Sequence, residues 1–151
     1  MPVSNRWYSM AARLLAGACC LALAAAGCGG PAGPKLVPVV GRVTTADGKP
    51  VKAGGLSFRP DKAKGNANLH EPYGTIDADG NFKLFTNKQE GAPVGWYKVA
   101  IFAGEPVEVG NLSGQARWFA NPKYASVDSS GLTMEVVQNP GAGAYDFRLD
   151  K

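Results

Sequence analysis

The sequence predicts an all-β domain over residues 36–151, built as a seven-stranded antiparallel β-sandwich. Three observations point there. After Lys35 the apolar residues recur with period two, in seven short bursts separated by turn residues. No stretch of useful length carries the 3.6-residue period of an amphipathic helix. Glycine and proline contribute 20 and 11 of the 151 residues. At about a fifth of the chain they fall below the roughly 25–30% of low-complexity segments, yet still imply many turns.

The bursts follow in order. Val37-Pro38-Val39-Val40-Gly41-Arg42-Val43-Thr44 is rich in β-branched residues and ends at the turn signal Ala46-Asp47-Gly48. Leu56 and Phe58 alternate with Ser57 and Arg59. Thr75-Ile76-Asp77 leads into the turn Ala78-Asp79-Gly80-Asn81, after which Phe82 and Leu84 flank Lys83. Tyr97, Val99 and Ile101 alternate with Lys98 and Ala100. Leu132, Met134 and Val136 alternate with Thr133 and Glu135, and Tyr145, Phe147 and Leu149 with Asp146, Arg148 and Asp150. The expected core is these apolar positions, with one of Val39 and Val40, Val43 and Ile76. Burial of each large side chain contributes about 1.5–3 kcal/mol.

Residues 1–27 have the physics of an export signal. Arg6 and Arg13 precede an uncharged apolar run at residues 14–26, which ends in the small residues Ala24-Ala25-Ala26-Gly27. The run is shorter than the roughly 20 residues a membrane span needs. Ala25-Ala26-Gly27-Cys28 resembles the lipobox of bacterial lipoproteins, with alanine at 25 where that family favours leucine. The resemblance implies cleavage before Cys28, a diacylglycerol on its sulfur and a third acyl chain on its new amine. Ala24-Ala25-Ala26 also fits an ordinary A-x-A cleavage that releases a soluble chain. Residues 28–35 then read as the lipidated cysteine and a Gly/Pro tether. Gly29 stands where many lipoproteins retained at the inner membrane carry aspartate. The implied location is therefore the cell envelope, at the outer membrane or cell surface, with the bilayer as partner through the anchor.

The three cysteines are Cys19, Cys20 and Cys28, so the domain holds no pair for a disulfide. The formal charge of +4 falls to +2 once Arg6 and Arg13 leave, too little and too scattered for a nucleic-acid footprint.

Within the domain, Val39-Val40-Gly41-Arg42-Val43-Thr44, Asp47-Gly48-Lys49-Pro50-Val51 and Gly55-Leu56-Ser57-Phe58-Arg59-Pro60 resemble the opening strands of carboxypeptidase regulatory-like domains. The segments beginning at Gly74, Pro93 and Tyr145 are similar to the same pattern. The resemblance implies a transthyretin-like (prealbumin-like) sandwich and says little about function, since the matching residues are turn glycines and core apolars. Some transthyretin-like proteins are hydroxyisourate hydrolases with several histidines and a Tyr-Arg-Gly-Ser tail. This chain has one histidine and ends Phe147-Arg148-Leu149-Asp150-Lys151.

Candidate chemistry is sparse. Asp77-Ala78-Asp79-Gly80-Asn81 looks like part of a calcium loop, but position twelve is Lys88 where a bidentate glutamate belongs. A hairpin turn is the expected role, and neither metal nor cofactor is expected. His70, beside Glu71 and near Asp61, has no nucleophile tied to it by a motif, which leaves a His70-centred hydrolase the weakest alternative. The long connection at residues 103–130 carries Arg117, Trp118, Phe119, Pro122, Lys123 and Tyr124. Connections this long are often functional, and Val107 and Val109 allow a short strand inside it. Its aromatics, with Trp96, either stack on a polysaccharide or grip an envelope protein, or fold back over one end of the core. The expectation is a non-enzymatic, lipid-anchored envelope module with a structural or binding role.

Overall fold

The computed structural model describes residues 33–105 and 116–151. The signal segment, Cys28 and most of the tether lie outside the described residues, as do Val107 and Val109. Pro34–Lys151 forms one compact unit.

The unit is all-β. Its strands are β1 (Leu36–Val37), β2 (Val40–Thr45), β3 (Gly54–Pro60), β4 (Tyr73–Ile76), β5 (Asn81–Lys83), β6 (Phe85–Thr86), β7 (Gln89–Glu90), β8 (Ala92–Pro93), β9 (Gly95–Glu105), β10 (Arg117–Trp118), β11 (Leu132–Val136) and β12 (Phe147–Leu149). Two short 3-10 turns lie at Lys62–Lys64 and Pro122–Ala125. Every one of the seven expected segments contains a strand.

The arrangement departs from the expected sandwich. Seven strands form one curled, half-barrel sheet in the order β10-β9-β3-β4-β5-β2-β12, and only β1 and β8 pair apart from it. The core fills the concave side of this single sheet. It is also mixed where an antiparallel sheet was expected, because β12 runs parallel to β2, with Phe147 opposite Val43 and Leu149 opposite Thr45. Parallel pairing needs a crossover, and residues 137–146 supply it by carrying the chain from β11, beside β9, to the far edge.

Each difference in detail has a local cause. Proline cannot donate to a ladder, so Pro38 splits the first segment into β1 and β2. The pleat then turns Val39 fully inward and leaves Val40 52% exposed. The edge strand β11 pairs only with β9, so Leu132 and Met134 are partly buried and Val136 alone is fully covered. A hairpin absent from the sequence reading, β6–β7, turns on Asn87 and Lys88, whose φ angles of 49° and 69° are left-handed. That is the backbone of a two-residue primed turn.

Phe58 sits at the centre of the core, its ring 5.8 Å from Tyr97 and 6.2 Å from Phe147. Val43, Leu84, Val99, Ile101 and Leu149 enclose this cluster. Gly54 makes the close pairing of β3 and β9 possible. Its φ is +140°, and a Cβ there would come within 1.9 Å of the Phe102 carbonyl oxygen. No buried side-chain nitrogen or oxygen among the described residues lacks a hydrogen-bond partner.

Candidate functional site

β9 is the longest strand and organises both ends of the domain. Tyr97, Val99, Ile101 and Ala103 point into the core, and the alternate positions Trp96, Lys98, Ala100, Phe102 and Gly104 lie on the other face, where Ala100 and Gly104 are nonetheless covered. From Trp96 to Gly104 the strand covers about 26 Å, at roughly 3.3 Å per residue.

At its far end β10 pairs with β9, placing Trp118 opposite Gly104 and Arg117 opposite Glu105. Trp118 therefore lies diagonal to Phe102 on the outer face, within reach of an aromatic pair. The ring centroids are 4.7 Å apart at 60°. Trp118 stays 37% exposed, so Phe102 supports it while part of its ring meets solvent. Arg117, its neighbour on β10, leaves on the other face of the strand, its guanidinium 3.8 Å from the Glu105 carboxylate and 5.9 Å from the Phe119 ring centre. Both members of that ion pair are largely exposed, so it contributes little to stability.

The chain then turns inward. The Phe119 amide donates to the Ala103 carbonyl over 2.8 Å, and its ring packs half-buried against the core. Asn121 caps the 3-10 turn by accepting from the Lys123 amide at 3.0 Å, with Pro122 opening the turn. Tyr124 is buried within the core cluster, and its hydroxyl donates to Asp150 over 3.1 Å. Arg117, Trp118, Phe119, Asn121, Pro122 and Lys151 border an open cleft of about 460 Å³.

The five residues expected to bind are thus divided. Arg117 and Trp118 form an exposed shelf and Phe119 backs it. Tyr124 is committed to packing, so its ring face is closed to a ligand. Trp96 stands at the opposite end of β9, half-buried, with the Lys64 ammonium 3.8 Å above its ring. Two contributors escaped the sequence reading, Phe102 and Lys151. Phe102 left a signal: it falls out of phase with the inward Val99 and Ile101, which marks an aromatic on the outer face.

The other candidates resolve into local structure. Asp77 closes the β4–β5 turn, its carboxylate accepting from the Asp79 and Asn81 amides at 2.9 and 2.8 Å. The Asn81 amide bond above all holds its pKa below the ordinary value of 3.8. His70 and Glu71 do not form a dyad. His70 Nδ1 lies 3.2 Å from the Asn87 side-chain amide, and Glu71 accepts from Arg59 Nε at 3.1 Å. Asp61 accepts instead from the Ala63 amide at 3.1 Å. Near the shelf, Asp47 accepts from the Thr45 hydroxyl and from Lys151. These two bonds hold its carboxyl far below the usual carboxylate range.

No family model matches the chain, and neither does any curated protein or solved structure.

Proposed function

We propose that this chain is a lipid-anchored, non-enzymatic envelope protein whose β-domain holds a binding shelf away from its anchor. The observation that carries the reading is the position of Cys28. It follows a charged, then apolar, then small-residue leader and stands six residues before the compact unit that opens at Pro34. An exported thiol with no partner cysteine in the domain is well used as an acyl acceptor. The resemblance to carboxypeptidase regulatory-like domains belongs to the same reading, with the curled sheet as a variant of the prealbumin-like sandwich.

Mass measurement of the membrane-extracted protein tests the anchor. A triacylated amino terminus at Cys28 is expected, and an unmodified start at Gly27 overturns it. The shelf favours a carbohydrate or an envelope protein as its ligand, because Trp118 offers a partly exposed ring, supported by Phe102, at the border of a cleft that Arg117 also lines. Trp118→Ala is expected to abolish retention on cell-wall polysaccharide while the fold persists, at a cost of about 0.5–1.5 kcal/mol for the lost pair with Phe102 besides its buried area. Undiminished retention by the variant removes the carbohydrate reading.

A further inference from the structure

We propose that the end of the domain where the tether enters is a second binding surface, which lies against anionic phospholipid headgroups. This rests on the lipid anchor at Cys28. β1 pairs with β8 in the register Leu36 to Pro93, so the chain enters the domain beside Val94. From Cys28 to Pro34 it spans at most about 20 Å, at roughly 3.3–3.6 Å per residue. Whatever surrounds Val94 is therefore kept close to the bilayer.

The residues there suit an interface. Val94 is 44% exposed, and Leu69, on the neighbouring 61–72 connection, is 89% exposed. Trp96 lies half-buried beneath Lys64, and Lys64, Asn66, Val94 and Trp96 border a cleft of about 310 Å³, while Leu69 borders the adjoining cleft with Lys62 and Lys98. Tryptophan favours the headgroup level of a bilayer, where its ring is half in hydrocarbon and half in water. Lysines beside it keep their charge among the phosphates while their stems cover apolar surface. Lys62, Lys64 and Lys98 make no ion pair among the described residues, whereas Arg59 is engaged by Glu71. Three carboxylates oppose them: Glu135, opposite Trp96 on β11, Asp61, which caps the Lys62–Lys64 turn, and Glu71, which is engaged by Arg59.

The patch is also held in one shape. The Trp96 carbonyl accepts from the Asp61 amide at 2.9 Å and from the Asn66 side chain at 2.8 Å. Asn66 in turn accepts from the Asn68 amide at 3.1 Å. Gly95 admits this contact, since a Cβ there would stand 2.9 Å from the Asn66 side-chain nitrogen. The connection bearing Leu69 and the strand bearing Trp96 therefore meet the bilayer as one body, and no ordering of a loop is needed on contact.

The test uses the processed, full-length protein with Trp118→Phe, which leaves Trp96 as the tryptophan of the domain. It is reconstituted into vesicles of brominated phosphatidylglycerol and, separately, brominated phosphatidylcholine, and both flotation and Trp96 emission are read. Quenching on the anionic vesicles, weaker on the zwitterionic ones and reduced by 1 M salt (Debye length about 3 Å), is expected. Each of Lys62→Glu and Lys64→Glu should lower the docked-to-free ratio at least about fivefold. Leu69→Ser, at a fully solvated position, should weaken quenching without loss of folding. Flotation without quenching overturns the docking surface and leaves the anchor standing. Protein that neither floats nor carries acyl chains overturns both.

Discussion

Single side chains decide how the polar groups around the core are satisfied, and Tyr97 shows it best. Its ring packs on Phe58 in a fully buried site, and its hydroxyl donates to the Pro93 carbonyl over 2.7 Å. Burial raises its pKa above 10.0, against the opposing bonds from Asn66 and Asn68. Tyr97→Phe removes the donor and leaves a carbonyl short of a partner, so urea unfolding should show a loss of about 1–3 kcal/mol. The sign of the pH effect follows from the raised value. Below pH 10 the tyrosine is protonated in both states and its contribution is complete. Above pH 10 the unfolded chain releases the proton first, and the contribution declines as pH rises toward the folded-state pKa. The variant should lack that decline. Alternation placed Tyr97 inward from sequence alone, but its partner was invisible there, because Pro93 lies beyond a bend that only the folded chain defines.

The strands themselves depend on a few positions without side chains. β3 lies along seven residues of β9, and this pairing requires Gly54 both for its positive φ and for its contact with Phe102. Gly54→Ala should displace the start of β3. The expected outcome is a broadened thermal transition and faster amide exchange in Gly54–Leu56, read by hydrogen–deuterium exchange; unchanged exchange would falsify the role given to this glycine. Period-two patterning made the long strands legible because each has one dry face and one wet face. It missed β6, β7, β8 and β10, which are two residues each and too short to show a period. It also treated residues 103–130 as one connection. The last turn of β9, β10 and the 3-10 turn divide that stretch, so Trp118 and Tyr124, six residues apart, meet opposite environments.

For the molecule as a whole, stability rests on one contiguous core. No cysteine lies between residues 33 and 151, so thermal unfolding should be unmoved by a reducing agent. A shift in midpoint on adding dithiothreitol would reveal a covalent link that the domain is not built to have. The all-β class could be read from composition and alternation. The curling of a single sheet could not, because the same alternation serves two facing sheets or one sheet curled on itself. What joins the strands into one sheet is the pairing of β4 with β5, where Ile76 lies opposite Phe82, and alternation does not say whether that corner pairs or splits.

The pairing of β2 with β12 bears on how the domain withstands load. The two strands run in the same direction, with Phe147 opposite Val43 and Leu149 opposite Thr45. A pull applied between Leu36 and Leu149 first peels the short β1 from β8, then drags β2 and β12 past each other along their shared axis. The hydrogen bonds between them resist in shear, all together, where an antiparallel hairpin would unzip rung by rung. Against a pull along that axis the arrangement acts as a mechanical clamp.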